Sequence, residues 1–182
     1  MREAFEPIQP RVNGMITGRI WTFGDNINTD LMLPGPLLTA SEAEQARAVF
    51  AANRPGWVDQ VAPGDIIVAG RNFGTGSSRP AARSLRNIGI GALLAGSING
   101  LFFRNAVSFG LLALECPGID AAVAEGQTAE ISLDDWSVRN RETGAVAAVK
   151  PVPGRLLSLM TGGGIFPLLE AEGLIAPRPA FR

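Results

Sequence analysis

Ile66-Ile67-Val68-Ala69-Gly70-Arg71-Asn72-Phe73-Gly74-Thr75-Gly76-Ser77-Ser78-Arg79-Pro80-Ala81 carries the reading of the fold. An apolar run, Ile66–Ala69, reads as a short strand delivered by the Pro63-Gly64-Asp65 turn. A glycine-rich polar loop, Arg71–Ser78, follows it. Arg79–Asn87 then reads as a short helix with Pro80 in its first turn, where the missing N–H costs nothing. Ile90–Ala95 is a buried strand. Ser97 is expected to cap a helix to about Phe109, closed by Gly110 as a left-handed terminator, before a further strand at Leu111–Glu115. Strand, loop, helix, strand, helix, strand predicts an α/β layer with parallel crossovers.

Working outward, residues 1–17 read as an irregular arm broken by Pro7, Pro10 and Gly14. Gly18–Phe23 alternates as a strand and ends in the polar turn Gly24–Asp30. Ser41 opens a helix to about Ala52, with Glu44 completing a capping box, and Asn53, Pro55 and Gly56 stop it. Beyond Pro117, Ile119–Ala124 is one or two helical turns and Thr128–Leu133 a half-exposed strand. Val138–Arg141 and Ala145–Val149 flank Glu142-Thr143-Gly144 as a hairpin. Pro153–Met160 and Ile165–Glu172 read as helices, and Ala176–Arg182 as a loose tail. No linker interrupts the chain, so one domain is expected over residues 1–182.

The composition narrows the chemistry. At 182 residues, 46% hydrophobic and 18% charged, the chain is globular with a sizeable core. A net charge of −1 gives no bulk attraction to nucleic acid or to an anionic membrane. The longest apolar runs, Ile88–Ala95 and Gly110–Leu114, fall short of a bilayer span, and no signal-peptide core follows Arg2. A cytoplasmic location is expected. The chain has no His and no Tyr, with Cys116 and Lys150 the sole residues of their kinds. That excludes a Ser-His-Asp triad, a histidine base, and a zinc or iron–sulfur site built within this chain. Cys116 reads as a small buried hydrophobe. Chemistry must come from hydroxyls, carboxylates, arginines and backbone amides, or from a partner.

Two segments carry such groups. In Gly74-Thr75-Gly76-Ser77-Ser78-Arg79 the glycines admit close backbone approach, loop N–H groups favour an anion, and Arg79 offers a planar fork for a carboxylate or phosphate. The bland reading is a strand-to-helix turn with ordinary caps. A nucleotide P-loop would need a Gly-Lys-Ser/Thr ending, and a dinucleotide fingerprint a third glycine where Arg79 stands. In Gly24-Asp25-Asn26-Ile27-Asn28-Thr29-Asp30 the plain reading is turn chemistry, and an EF-hand loop would need a terminal Glu.

Taken together, the two segments resemble the small subunit of the aconitase-type hydro-lyases, the isopropylmalate dehydratase (isopropylmalate isomerase) group. Gly18–Asp30 is similar to that family's opening strand and Asn-Thr-Asp turn, and Ala69–Arg79 to its Gly-Ser-Ser-Arg loop. Ser97–Ala106, Gly110–Leu112 and Leu169–Leu174 extend the likeness over residues 18–175. The resemblance implies a swivelling three-layer β/β/α domain that closes over a large subunit. It implies a [4Fe–4S] cluster held by three cysteines of that partner, and none bound here. Ser77 is implied as the proton-abstracting base, Gly74, Thr75 and Gly76 as the loop whose amides support it, and Ser78 and Arg79 as carboxylate ligands. Asp30 and Thr29 would line the pocket.

Two departures stand out. Pro80-Ala81 replace the family's usual Glu-His, removing a carboxylate expected to orient Arg79. The stretch Pro34–Thr39 is apolar where the family often has an arginine-bearing segment that selects the substrate side group, so Leu37, Leu38 and Thr39 would meet that group. Arg47 and Arg54 are expected on solvated faces. The leading expectation is the small subunit of a heteromeric hydro-lyase acting on a malate-type dicarboxylate, isopropylmalate or a methyl-substituted malate. The alternative is a non-catalytic anion-binding or regulatory subunit that retains the fold.

Overall fold

The structure, a computed structural model, describes residues 15–76 and 79–177. In chain order the strands are β1 (Met15–Phe23), β2 (Ile66–Ala69), β3 (Ala92–Ala95), β4 (Ala113–Glu115), β5 (Thr128–Ser132), β6 (Ser137–Asn140) and β7 (Val146–Ala148). The helices are α1 (Thr29–Met32), α2 (Glu42–Arg47), α3 (Trp57–Gln60), α4 (Ala81–Asn87), α5 (Gly100–Phe109), α6 (Ile119–Ala122), α7 (Gly154–Thr161) and α8 (Ile165–Ala171). A 3-10 turn spans Gly35–Thr39.

The strands form a seven-stranded sheet in the order β4-β3-β2-β1-β5-β6-β7. β1 is the pivot. Its first half pairs antiparallel with β5, Met15 opposite Ser132 and Arg19 opposite Thr128. Its second half pairs parallel with β2, Ile20 opposite Ile66 and Phe23 opposite Ala69. Gly18 lies just before the change of partner, and a Cβ there would stand 2.1 Å from the Gly64 carbonyl oxygen. Only glycine lets the strand pass the β2 turn so closely.

Alternation along the parallel strands separates two cores. Ile20, Ile66, Val68, Ala92, Leu94 and Leu114 pack against Ala129, Ile131 and Val138 of the antiparallel strands. Trp21, Ile67, Ala69, Leu93 and Ala95 face the other way, onto Phe50, Trp57, Leu85, Phe102 and Ala106. β2 and β3 are therefore covered on both faces, which is why they read as unbroken apolar runs. The result is the expected three-layer β/β/α arrangement.

Several boundaries differ from expectation. Residues 15–17 belong to β1, not to an arm, because β5 supplies them with backbone partners. Residues 1–14 and 178–182, with most of the expected arm and tail, lie outside the described residues. The helix expected to run to Ala52 ends at Arg47. Phe50 turns to φ +59°, donates its amide to Met32 at 2.9 Å, and stacks on Phe23 with ring centroids 4.4 Å apart. Core packing of one aromatic side chain thus overrides helix continuation. The α5 cap is Asn99 rather than Ser97, since Ser97 and Ile98 extend a bridge to Phe73. β3 starts at Ala92, two residues after the expected Ile90. Among the described residues, no helix is long and apolar enough to cross a membrane.

Candidate active site

Parallel β1, β2 and β3 end at Phe23, Ala69 and Ala95, and the loops that leave them converge. Ligands of open parallel sheets bind at such carboxyl ends. The loop after β2 is stitched to the loop after β1 by Gly74 donating to the Ile27 carbonyl (2.7 Å), Thr29 to Thr75 (2.8 Å) and Asn26 to Arg71 (2.8 Å). It is stitched to the loop after β3 by Phe73 donating to Ser97 (3.0 Å) and Asn99 to Phe73 (2.8 Å). Asn72 donates its amide to Ser97 Oγ at 2.8 Å and its side chain to Asn26 Oδ1 at 2.9 Å. Asn26 and Asn72 both adopt positive φ, a conformation asparagine tolerates better than most residues. The two polar segments singled out in the sequence therefore form one surface.

Gly74 shows how tightly the loop is seated. At φ +81°, a Cβ there would come within 2.3 Å of Phe102, whose ring meets Phe73 edge-on beneath the loop. The Gly74 amide is committed to the Ile27 carbonyl.

Arg79 enters this surface just ahead of α4. Its Nε donates to Asp30 Oδ1, and its side chain is only 15% exposed. Its Nη1 is buried and, among the described residues, has no hydrogen-bond partner. A cationic donor held this way is incomplete by itself and suits an incoming carboxylate oxygen. Asp30 takes its place because Asn28 caps α1, its Oδ1 accepting from the Asp30 amide at 2.7 Å. Thr29, on the same short helix, is buried. The Gly35–Thr39 turn runs alongside, an added Cβ at Gly35 standing 3.6 Å from Arg79 Nη1. Within it Leu37 is half-buried, and Leu38 and Thr39 are exposed. Ser77 and Ser78 lie outside the described residues.

At the rim, Asp25 accepts from the Arg71 amide at 2.6 Å and from its guanidinium at 3.2 Å. Those bonds, the amide first, hold the Asp25 carboxyl below its usual range. Arg54 is not on a solvated face. It donates to Glu125 at 2.5 Å and to the Thr22 carbonyl at 3.2 Å, and lies over the Trp21 and Phe23 rings. Three polar residues near the turn went unnoticed in the sequence: Glu42, Gln45 and Arg83. On the helix expected to run to Ala52, Gln45 shares a face with Val49, and a polar residue at that register was the available signal.

Iron–sulfur or zinc ligation does not suit this chain's donors. Its one cysteine, Cys116, is buried with its thiol pushed up to about 11 by that burial, and its Sγ lies 3.3 Å from the Ala148 carbonyl oxygen. Among the described residues no group of three or more His, Cys, Asp or Glu side chains converges.

Fold and site define a three-layer mixed-sheet domain with a pair of polar, mutually hydrogen-bonded loops at its parallel strand ends. Residues 27–118 match the aconitase C-terminal domain. The chain is 40% identical to the 3-isopropylmalate dehydratase small subunit 1 of Methanopyrus kandleri, covering 87% of this chain and 95% of that one. It is 42% identical to the methanogen homoaconitase small subunit of Methanothermobacter thermautotrophicus, over 85% of this chain and 90% of the relative. The crystal structure of 3-isopropylmalate dehydratase from Methanocaldococcus jannaschii superposes with a TM-score of 0.80 at 32% identity, covering 88% of this chain and 96% of that one. The chain belongs to the aconitase C-terminal-domain family, among the small subunits of the 3-isopropylmalate dehydratase type.

Proposed function

We propose that the chain is the small subunit of a heteromeric hydro-lyase that dehydrates and rehydrates a malate-type hydroxy dicarboxylate. Isopropylmalate or a methyl-substituted malate is the substrate class. The observation that carries this reading is the buried Nη1 of Arg79, unpartnered among the described residues, on a guanidinium held by Asp30 at the meeting of three strand-end loops.

Arg79 grips one substrate carboxylate through its guanidinium, with Ser78 as a second ligand and Thr29 and Asp30 lining the pocket. Asp30 also supplies the orienting carboxylate that the Pro80-Ala81 departure removes from its usual place. That pairing favours the catalytic reading over a subunit that merely retains the fold. Ser77 Oγ takes the proton from the carbon beside the hydroxyl-bearing one. A serine is a poor base unaided, so this step depends on electrostatic support from the loop and from Arg79. The [4Fe–4S] cluster belongs to the large subunit and supplies Lewis acidity to the departing hydroxyl. The assembly is proposed to be cytoplasmic, with neither nucleic acid nor membrane as a partner.

The relatives' names span an alkyl malate and a tricarboxylate series, so similarity alone does not select between them. Leu37 and Leu38 favour the alkyl malates. An unpaired carboxylate buried beside them would cost several kcal/mol, whereas a methyl gains up to about 1 kcal/mol. The test is reconstitution with a large subunit of this family, assayed on alkyl malates, citrate and homocitrate. Turnover of alkyl malates only in the heteromer is expected, with Leu38→Arg moving preference toward the tricarboxylates. Equal kcat/KM for both classes overturns the substrate assignment, and turnover by the pure single chain overturns the heteromeric reading.

A further inference from the structure

A dense polar cluster outside the Arg79 loops joins α2, α4 and the Gly35–Thr39 turn. Gln45, only 2% exposed, places Nε2 3.1 Å from the Leu37 carbonyl, 3.3 Å from that of Leu38 and 3.1 Å from that of Ala40. Its Oε1 accepts from Arg83 Nη2 at 2.9 Å. Arg83 in turn donates from Nη1 to Glu42 Oε1 at 2.8 Å, and Asn87 reaches Glu42 Oε2 at 3.4 Å.

A five-residue 3-10 turn has poor internal hydrogen-bond geometry and little stability alone. Leu38 is 49% exposed, so packing of its side chain does not hold the turn. The Leu37, Leu38 and Ala40 carbonyls add a hold of their own, gathered from inside by one amide. Burying that amide is unfavourable unless its hydrogen bonds are made, so the site is built around them. Arg83 lies one helical turn beyond Arg79, and Gly35 at the head of the turn sits against the Arg79 guanidinium. The chain of contacts therefore runs from the turn, through Gln45 and Arg83, to the helix that follows the carboxylate-binding arginine.

We propose that Gln45, oriented by Arg83, is a positioning residue that sets selectivity for the substrate side group by fixing the Gly35–Thr39 turn beside Arg79. This rests on the dicarboxylate reading of Arg79. Gln45→Glu isolates the effect. It keeps the shape and an acceptor for Arg83, loses the donated bonds, and turns a carboxylate onto the carbonyls. Arg83→Met removes the orienting donor and leaves the Gln45 amide in place.

The experiment has two arms. In the heteromer, kcat/KM is measured for isopropyl-substituted and methyl-substituted malates. Gln45→Glu is expected to shift the ratio by about tenfold through KM for the bulkier substrate, with kcat for the smaller one within about twofold. Arg83→Met shifts it the same way by less. In the full chain alone, amide exchange at Leu37 and Ala40, which donate to Pro34 and Leu37 at 3.0 and 3.2 Å, should quicken about tenfold in both variants while β2 and β3 stay protected. Unchanged exchange at those amides overturns the positioning role. Faster exchange with equal losses for both substrates overturns the selectivity role. If the wild-type heteromer turns over neither malate, the dicarboxylate reading fails, and exchange alone decides the positioning role. If Gln45→Glu does not fold, Arg83→Met carries both arms.

Discussion

The two halves of the sheet share β1 and treat their polar residues in opposite ways. In the antiparallel half, Asn140 is 1% exposed and has every capacity used. Its Oδ1 accepts from the amides of Glu142 and Thr143 at 3.0 and 3.2 Å, and its Nδ2 donates to Ala122 O and Gln127 Oε1 at 3.1 and 2.8 Å. In the parallel half, Arg79 is half-buried, with its side chain 15% exposed, and among the described residues its buried Nη1 is left over. Hairpin turns alternate between the two ends of their strands. Crossover connections instead deliver three loops to the same end. Polar content alone does not mark a site. Convergence with an unfilled donor does.

The sharpest way to break this contrast is to remove the reacting group from the parallel half. Ser77→Ala in the reconstituted heteromer should lower kcat by roughly 10²–10⁴-fold with little change in KM. A near-normal kcat would remove the serine from the mechanism. Arg79→Lys should act differently, raising KM and lowering kcat/KM by about 2–5 kcal/mol, because an ammonium cannot satisfy both Asp30 and a carboxylate from one planar fork. Steady-state kinetics on both variants, side by side, separates proton transfer from carboxylate binding.

Asn140→Ala probes the other half. It leaves buried carbonyl and amide groups without partners and should cost about 1–3 kcal/mol in denaturant unfolding of the chain. Kinetics of the heteromer should be unaltered, since β6 and its turn bring nothing to the strand-end loops. A loss of kcat/KM without a loss of stability would erase the division between the halves.

The sequence made the parallel half readable because its strands are buried on both faces and its loops are dense in Gly, Asn and Asp. Ile66–Ala69 is a strand as expected, and the hairpin about Glu142–Gly144 is placed to within a few residues. The pairing of the Gly24–Asp30 and Arg71–Arg79 loops was legible only through the family resemblance, since nothing local says that two loops 40-odd residues apart share hydrogen bonds. What stayed hidden depends on tertiary context. β1 begins at Met15 because β5 is there to pair with it, and the α2 helix stops because Phe50 has an aromatic cluster to fill. Arg54 looked like a surface cation and is packed over two rings. Gln45 gave a faint cue by its register, and its three carbonyl partners are visible only once the turn is folded over it.

The smallest expected effect sharpens the comparison at the rim of the site. Asp25 ties the loop after β1 to the loop after β2, its carboxylate accepting from the Arg71 amide and guanidinium. Those bonds favour the charged form, so the folded-state pKa lies below the unfolded one, which is about 3.9. A depressed carboxylate contributes stability that is fully present above the unfolded value and disappears as pH falls through the folded value. Asp25→Asn should therefore melt below the wild type at pH 6, and the gap should narrow as pH drops below about 4 and then close. Asp25 is well exposed to solvent, so the gap is small and should shrink further in high salt. Thermal melts of both chains across pH 2–7 at low and high salt make the measurement. A gap that widens on acidification would mean that Asp25 is not held as a carboxylate by Arg71, and the rim would then owe its order to the other bonds between the two loops, those of Asn26 and Asn72 among them.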